Sequence, residues 1–328
     1  MKPDEFRDKC KGIVPVQYCP YKGNFELDIE GLKENTEFLV DFAEKGNRDL
    51  MIMTNGSTTE FYANSVEEQK AVIRTVVKTV DGRVPVVAGT SQAGTLETVK
   101  MTKYAEEAGV DCAMVVLPYY HAPTREGLYR HYETIAKSVK IGIMVYGNPD
   151  VSGTLLDTSL LQRLSKIENI VAVKDNNPNV AEYAFKSALL DPKDISLLNG
   201  FGEMHYIASA SFGFRYRGFV TWIGNFAPAM SYEIYEAVKK KDFDKAMNSL
   251  RKILPLNGLL EKFMKNRESL SIIPPILRTN YMYMSVGKAC LDMAGLNGGP
   301  LKQPLEDLTE KEKKELRQVL VEADLIEG

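Results

Sequence analysis

No apolar run in this chain comes near the roughly 18 residues that would read as a membrane-spanning helix. The polar start, MKPDEFRDKCKG, has no apolar signal core. Cysteine is scarce: Cys10, Cys19, Cys112 and Cys290, with no CxxC pair among them. So few thiols in 328 residues point to a reducing compartment, and a cytoplasmic protein is expected. The three histidines, His121, His131 and His205, show no metal-ligand spacing, so no metal site is expected. An excess of one charge is missing too: 41 basic against 44 acidic residues leave a formal net charge of −3. Without a basic patch or a long charge run, neither nucleic acid nor an anionic membrane is an expected partner. The first strand-like segment lacks the glycine-rich turn of a doubly wound nucleotide-binding sheet.

What remains is an ordinary soluble composition, 44% hydrophobic and 26% charged, in which strand-like and helix-like segments alternate. Short apolar runs at 12–16, 49–53, 84–88, 111–117, 141–146, 169–174, 195–198 and 219–222 predict eight strands. Helical spacing predicts helices over 28–45, 65–80, 95–108, 124–139, 157–167 and 203–211. Ser65 and Glu68 form a capping-box pattern at the second of these. Eight such units predict a (β/α)8 TIM barrel over 10–226. From 227 to 328 the pattern is helical only, with helices expected over 231–240, 243–266, 276–294 and 310–322. This C-terminal helical extension is too amphipathic to stand alone, so it is expected to pack on the barrel.

The stretch 169–176, NIVAVKDN, draws attention to Lys174 at the end of an apolar run. Active sites of β/α barrels are built at such strand ends. A free lysine amine titrates near 10.4, so a nucleophile at neutral pH needs burial worth a few units. The bland alternative is a lysine that reaches to water. Strand periodicity turns Lys174, Ala172 and Ile170 to one side and Asp175 away. Tyr146 ends the preceding strand and would lie beside Lys174, where a phenol can shuttle protons. Ser57 and Tyr120 are candidates to relay them. The turn Gly56-Ser57-Thr58-Thr59-Glu60 can bind a carboxylate through hydroxyls and backbone N–H groups, or can simply be a capped loop. Trp222, the lone tryptophan, is either a packing residue or a substrate wall.

GSTTE at 56–60, GRVPVVAGT at 82–90, PYY at 118–120 followed by Pro123, EGLY at 126–129 and HY at 131–132, the YGNP of 146–149, and Lys174 form an ordered set. In these residues the chain resembles the dihydrodipicolinate synthase / N-acetylneuraminate lyase family of class I aldolases. The resemblance implies a barrel with a helical extension, assembled as a homotetramer (a dimer of dimers). It implies a covalent Schiff base between Lys174 and pyruvate or a related 2-oxo acid, with Tyr146 transferring protons. Ser57 and Thr58 would hold the keto-acid carboxylate, helped by the backbone near Val220. Tyr120 would cross a dimer interface to a neighbour's relay. No metal or organic cofactor is implied.

Three departures bear on the aldehyde partner. Val151 stands where lysine-biosynthesis members carry an arginine, and valine cannot grip a second carboxylate bidentately. Thr59 replaces a second glycine. Asn199 to Glu203, with Gly200 and Glu203 as candidate ligands, resembles a segment that binds sugar hydroxyls. Trp222 and the Y-x-N-P loop resemble hydratase-aldolases. The favoured expectation is therefore a lyase of a hydroxylated or sugar-derived 2-oxo acid. The alternatives are condensation of pyruvate with aspartate semialdehyde, a hydratase-aldolase, a 2-oxo-sugar-acid dehydratase and, more remotely, a non-catalytic keto-acid-binding barrel.

Overall fold

Strands β1 (Gly12–Pro15), β2 (Ile52–Thr54), β3 (Val86–Gly89), β4 (Cys112–Val116), β5 (Gly142–Gly147), β6 (Ile170–Asp175), β7 (Ser196–Asn199) and β8 (Tyr216–Thr221) pair in parallel in the order β1-β8-β7-β6-β5-β4-β3-β2. Bridges Ile13–Leu50 and Val16–Met53 then join β1 to the β2 side, so the sheet closes into a barrel. The computed structural model describes residues 1–268, 270–274 and 281–327. Nearly every strand residue is buried, as expected where helices cover one face and the barrel interior fills the other. Val14, Val16, Met53, Val87, Met114, Met144, Ala172, Leu198 and Val220 fill the interior.

The outer layer comprises α2 (Ile29–Lys45), α3 (Val66–Val80), α4 (Thr95–Glu107), α5 (Arg125–Ala136), α7 (Thr158–Leu164), α8 (Val180–Leu189) and α9 (Glu203–Ser211). The chain begins with α1 (Pro3–Lys9), and a single turn, α6 (Pro149–Ser152), follows β5. The predicted capping box is present: Ser65 Oγ accepts from Glu68 N at 3.2 Å, and Glu68 accepts from Ser65 N at 2.7 Å. After β8 come α10 (Pro228–Lys239), α11 (Phe243–Lys265), α12 (Met282–Met293) and α13 (Glu310–Glu322). Their apolar faces, including Ile234, Leu250, Phe263, Val286 and Leu316, merge into the core of the outer layer.

Apart from the single turn α6, two helices carry no expectation from the sequence. One is α1, whose Phe6 is wholly buried against Val171 and Cys112 at the start of the strands. The other is α8, where Asn179 caps the first turn by accepting from Ala181 N at 3.0 Å. α10 starts three residues before its expected position, because Pro228 suits a first helical turn. The expected start of the next-to-last helix, 276–280, falls outside the described residues.

One face assignment on β6 is corrected. Ala172 lies inside the barrel, but Ile170 packs in the outer core. The β5–β6 register shifts between Ile143 and Met144, which breaks the simple alternation below Ala172. Above that point the alternation holds, and Asp175 turns outward. Its Oδ2 pairs with Lys186 Nζ of α8 at 2.8 Å and accepts from Tyr216 Oη at 3.3 Å. Both members of the ion pair are buried. Replacing Lys186 by Met would leave the Asp175 carboxylate buried without its cation, at a cost of about 3–5 kcal/mol. Urea titration of the variant reads that loss; an unchanged midpoint would mean that the pair contributes nothing.

Candidate active site

The ends of β5 and β6 meet in register, with Tyr146 opposite Lys174. Both side chains point into the barrel mouth. Lys174 is 4% exposed, and its Nζ sits 3.9 Å from the centroid of the Tyr146 ring. Nζ also lies 3.9 Å from Met53 Sδ. A π face and a thioether are weak partners for an ammonium compared with a carboxylate. Burial therefore dominates and lowers the Lys174 pKa to about 7. At neutral pH a large fraction of the amine carries a free lone pair.

Tyr146 is held from two sides. Asn148 Nδ2 donates to its Oη at 2.9 Å, and Ser57 hydrogen-bonds the same phenol. Burial raises the Tyr146 pKa, so the phenol stays protonated and can donate. Asn148 in turn accepts from Asp150 N at 3.2 Å, which caps α6. Asn148 is a positioning residue that sequence reasoning passed over; its signal was the turn-forming Y-x-N-P pattern.

Gly56 to Glu60 form a tight turn after β2. Thr59 N donates to Gly56 O and Glu60 N to Ser57 O, both at 3.0 Å. Asn55 and Glu60 adopt left-handed backbone conformations, with φ of 51° and 57°. Asparagine tolerates that region; glutamate does so at a cost. Glu60 is kept there by α12 and the segment after it. Lys288 Nζ lies 2.7 Å from its Oε1, and Lys302 N donates to its Oε2 at 2.8 Å. The Thr59 hydroxyl is used internally, donating to Gln17 O at 2.7 Å and accepting from Gly56 N at 3.2 Å. It stitches the turn to the end of β1. Thr58 is buried beside Tyr283 of α12, with Oγ1 3.5 Å from Tyr283 Oη.

The remaining candidates divide. Val220 lies inside the barrel with Tyr146, and Val151 packs on that interior cluster. Gly200 N donates to Asp175 O at 2.8 Å, and a Cβ at Gly200 would meet Asn176 Oδ1 at 1.9 Å. Only glycine fits that approach. Glu203 accepts from Thr221 Oγ1 at 2.6 Å and Ser231 Oγ at 2.7 Å. Those hydroxyls draw its carboxyl into the layer between β8 and α10, where it ties barrel to extension. Trp222 packs with Phe226, ring centroids 6.0 Å apart, in the outer core. Tyr120 is 77% exposed on the loop after β4, edge-on to His121. Among the described residues no cluster of three or more His, Cys, Asp or Glu could hold a metal. Among them, too, no helix is long and apolar enough to cross a membrane.

The profile of the Dihydrodipicolinate synthetase family matches residues 9–323. The chain belongs to this family. It is a lyase of the class I aldolase type. Among its relatives is the 4-hydroxy-tetrahydrodipicolinate synthase of Methanocaldococcus jannaschii, 32% identical over 317 residues, which cover 96% of this chain and 99% of that one. The enzyme of the same name from Archaeoglobus fulgidus is 30% identical, covering 96% and 99%. The crystal structure of dihydrodipicolinate synthase from Aquifex aeolicus superposes with a TM-score of 0.82 at 28% identity, covering 97% of this chain and all of that one. A dihydrodipicolinate synthase from Acinetobacter baumannii, crystallised with pyruvate, gives 0.81 at 27% identity, covering 96% and 99%.

Only the unprotonated amine attacks a ketone, so adduct formation at Lys174 should rise with pH and level off about one unit above 7. Initial rates of borohydride inactivation with pyruvate, measured from pH 5.5 to 9, check this. A rate still climbing steeply at pH 9 would place the amine near its ordinary value.

Proposed function

We propose that this enzyme condenses pyruvate with aspartate semialdehyde through a Schiff base on Lys174. The observation that carries the Schiff base is the dry, unpaired amine of Lys174 beside the Tyr146 phenol. The names of relatives that match almost the whole chain support this aldehyde over a sugar-derived one. They reverse the preference that Val151 had suggested.

In this reading neutral Lys174 adds to the keto carbon of pyruvate. Tyr146 protonates the carbinolamine oxygen, water departs, and an iminium remains. The Tyr146 phenolate takes a C3 proton back, giving an enamine whose carbon attacks the semialdehyde carbonyl. Tyr146 returns a proton to the new alkoxide. The amino group of the adduct then attacks C2, closes the ring and displaces Lys174. Ser57 links Tyr146 to the relay, while Thr58 and the backbone near Val220 hold the keto-acid carboxylate. Exposed Tyr120 would serve a neighbouring copy in a homotetramer. The reading needs no metal or organic cofactor and suits a cytoplasmic enzyme.

A second reading, cleavage of a hydroxylated 2-oxo acid, is favoured by one observation. Val151 packs at the mouth where an arginine would hold a second carboxylate. Borohydride trapping with pyruvate, followed by mass spectrometry, should place the reduced adduct on Lys174, and Lys174→Ala should abolish it. A panel of aldehydes offered with pyruvate then separates the two readings. Rapid consumption of aspartate semialdehyde is expected. Val151→Arg should lower its KM about tenfold, the scale of one charge-assisted contact. Turnover confined to hydroxylated aldehydes would overturn the first reading in favour of the second.

A further inference from the structure

The first turn of α12 brings a phenol to the catalytic mouth from far along the chain. Tyr283 Oη lies 3.5 Å from Thr58 Oγ1, the long end of hydrogen-bonding range. The same phenol is electrostatically coupled to Tyr146, Asp150 and Glu60. Those groups belong to the end of β5 and to the loops after β2 and β5, so the phenol lies between the two loops. Its backbone is pinned as well. Tyr18 Oη donates to Tyr283 O at 2.8 Å, and Tyr18 packs so closely on α12 that a Cβ at Gly287 would meet its Oη at 1.9 Å. The position of Tyr283 is therefore set by the segment after β1 on one side and by the motif turn on the other.

We propose that Tyr283 is a substrate-binding residue whose hydroxyl donates a hydrogen bond to the carboxylate of the keto acid seated at Thr58. A phenol that accepts from Thr58 still has its own hydrogen to give. A carboxylate takes several donors, and bonds to it are stronger than those between neutral groups. Burial raises the pKa of Tyr283, and the nearby acids push it the same way, so it remains a donor at neutral pH. The inference rests on the reading above that Thr58 holds the carboxylate. It adds a ligand from the C-terminal extension, which none of the strand-end motifs contain.

The test compares wild type with Tyr283→Phe in borohydride trapping titrated with pyruvate and, separately, with its uncharged methyl ester. The variant should need about tenfold more pyruvate for half-saturation. Its trapping rate at saturating pyruvate and its half-saturation with the ester should match wild type. Equal weakening for both ketones would mark Tyr283 as a structural residue and overturn the proposal. So would an unchanged half-saturation with pyruvate. Absence of trapping in the wild-type enzyme would overturn the Schiff-base reading and this inference together. Normal wild-type trapping with an indifferent variant would overturn this inference alone.

Discussion

Keeping water away from one amine is the constraint that the rest of this structure serves. Among the described residues three lysines are buried: Lys174, Lys186 and Lys288. Lys186 has Asp175 and Lys288 has Glu60. Lys174 has an aromatic face and a thioether. Desolvation of an ammonium costs several kcal/mol unless a counter-charge offsets it, so an unpaired buried lysine releases its proton instead. The unfolded chain would hold that proton up to about pH 10.4. The native state gives it up near 7. Stability from this group therefore increases as pH rises between those values, and below them the fold carries the penalty. The two ion pairs next to it do the opposite work. They tie the outward end of β6 to α8 and the motif turn to α12.

The extension is part of the site rather than an addition to it. Glu60 sits in a strained left-handed conformation and is kept there by Lys288 and by the backbone of Lys302. Glu203 performs a related task on the other side, binding hydroxyls of β8 and α10. The loops that shape the mouth are thus anchored by segments tens to hundreds of residues away in sequence.

Much of the fold was legible because its signals are local. Each strand is a short apolar run, several helices carry their own caps, and strand ends place Tyr146 beside Lys174 by topology alone. The outward turn of Asp175 followed from the same alternation. Ile170 was misplaced because a register shift is a property of two paired strands, not of one sequence. Tyr283 and the Glu60–Lys288 pair were invisible because they join segments more than 220 residues apart. Glu203 and Trp222 were weighed as ligands from their neighbours in sequence, whereas hydroxyls and rings from α10 and the turn before it occupy them. Val151 was given too much weight on the identity of the aldehyde, since one missing arginine outweighed the resemblance of the whole chain.

The short helix α1 has a consequence of its own. Phe6 is wholly buried against Val171 and Cys112, under the first residue of β5. It seals the barrel at the end opposite Lys174. Side chains fill the lumen below the amine as well, so Lys174 faces one rim only. On the proposed Schiff base, a molecule joined to that amine would lie at the floor of a blind well. A second reactant would then meet it only from above.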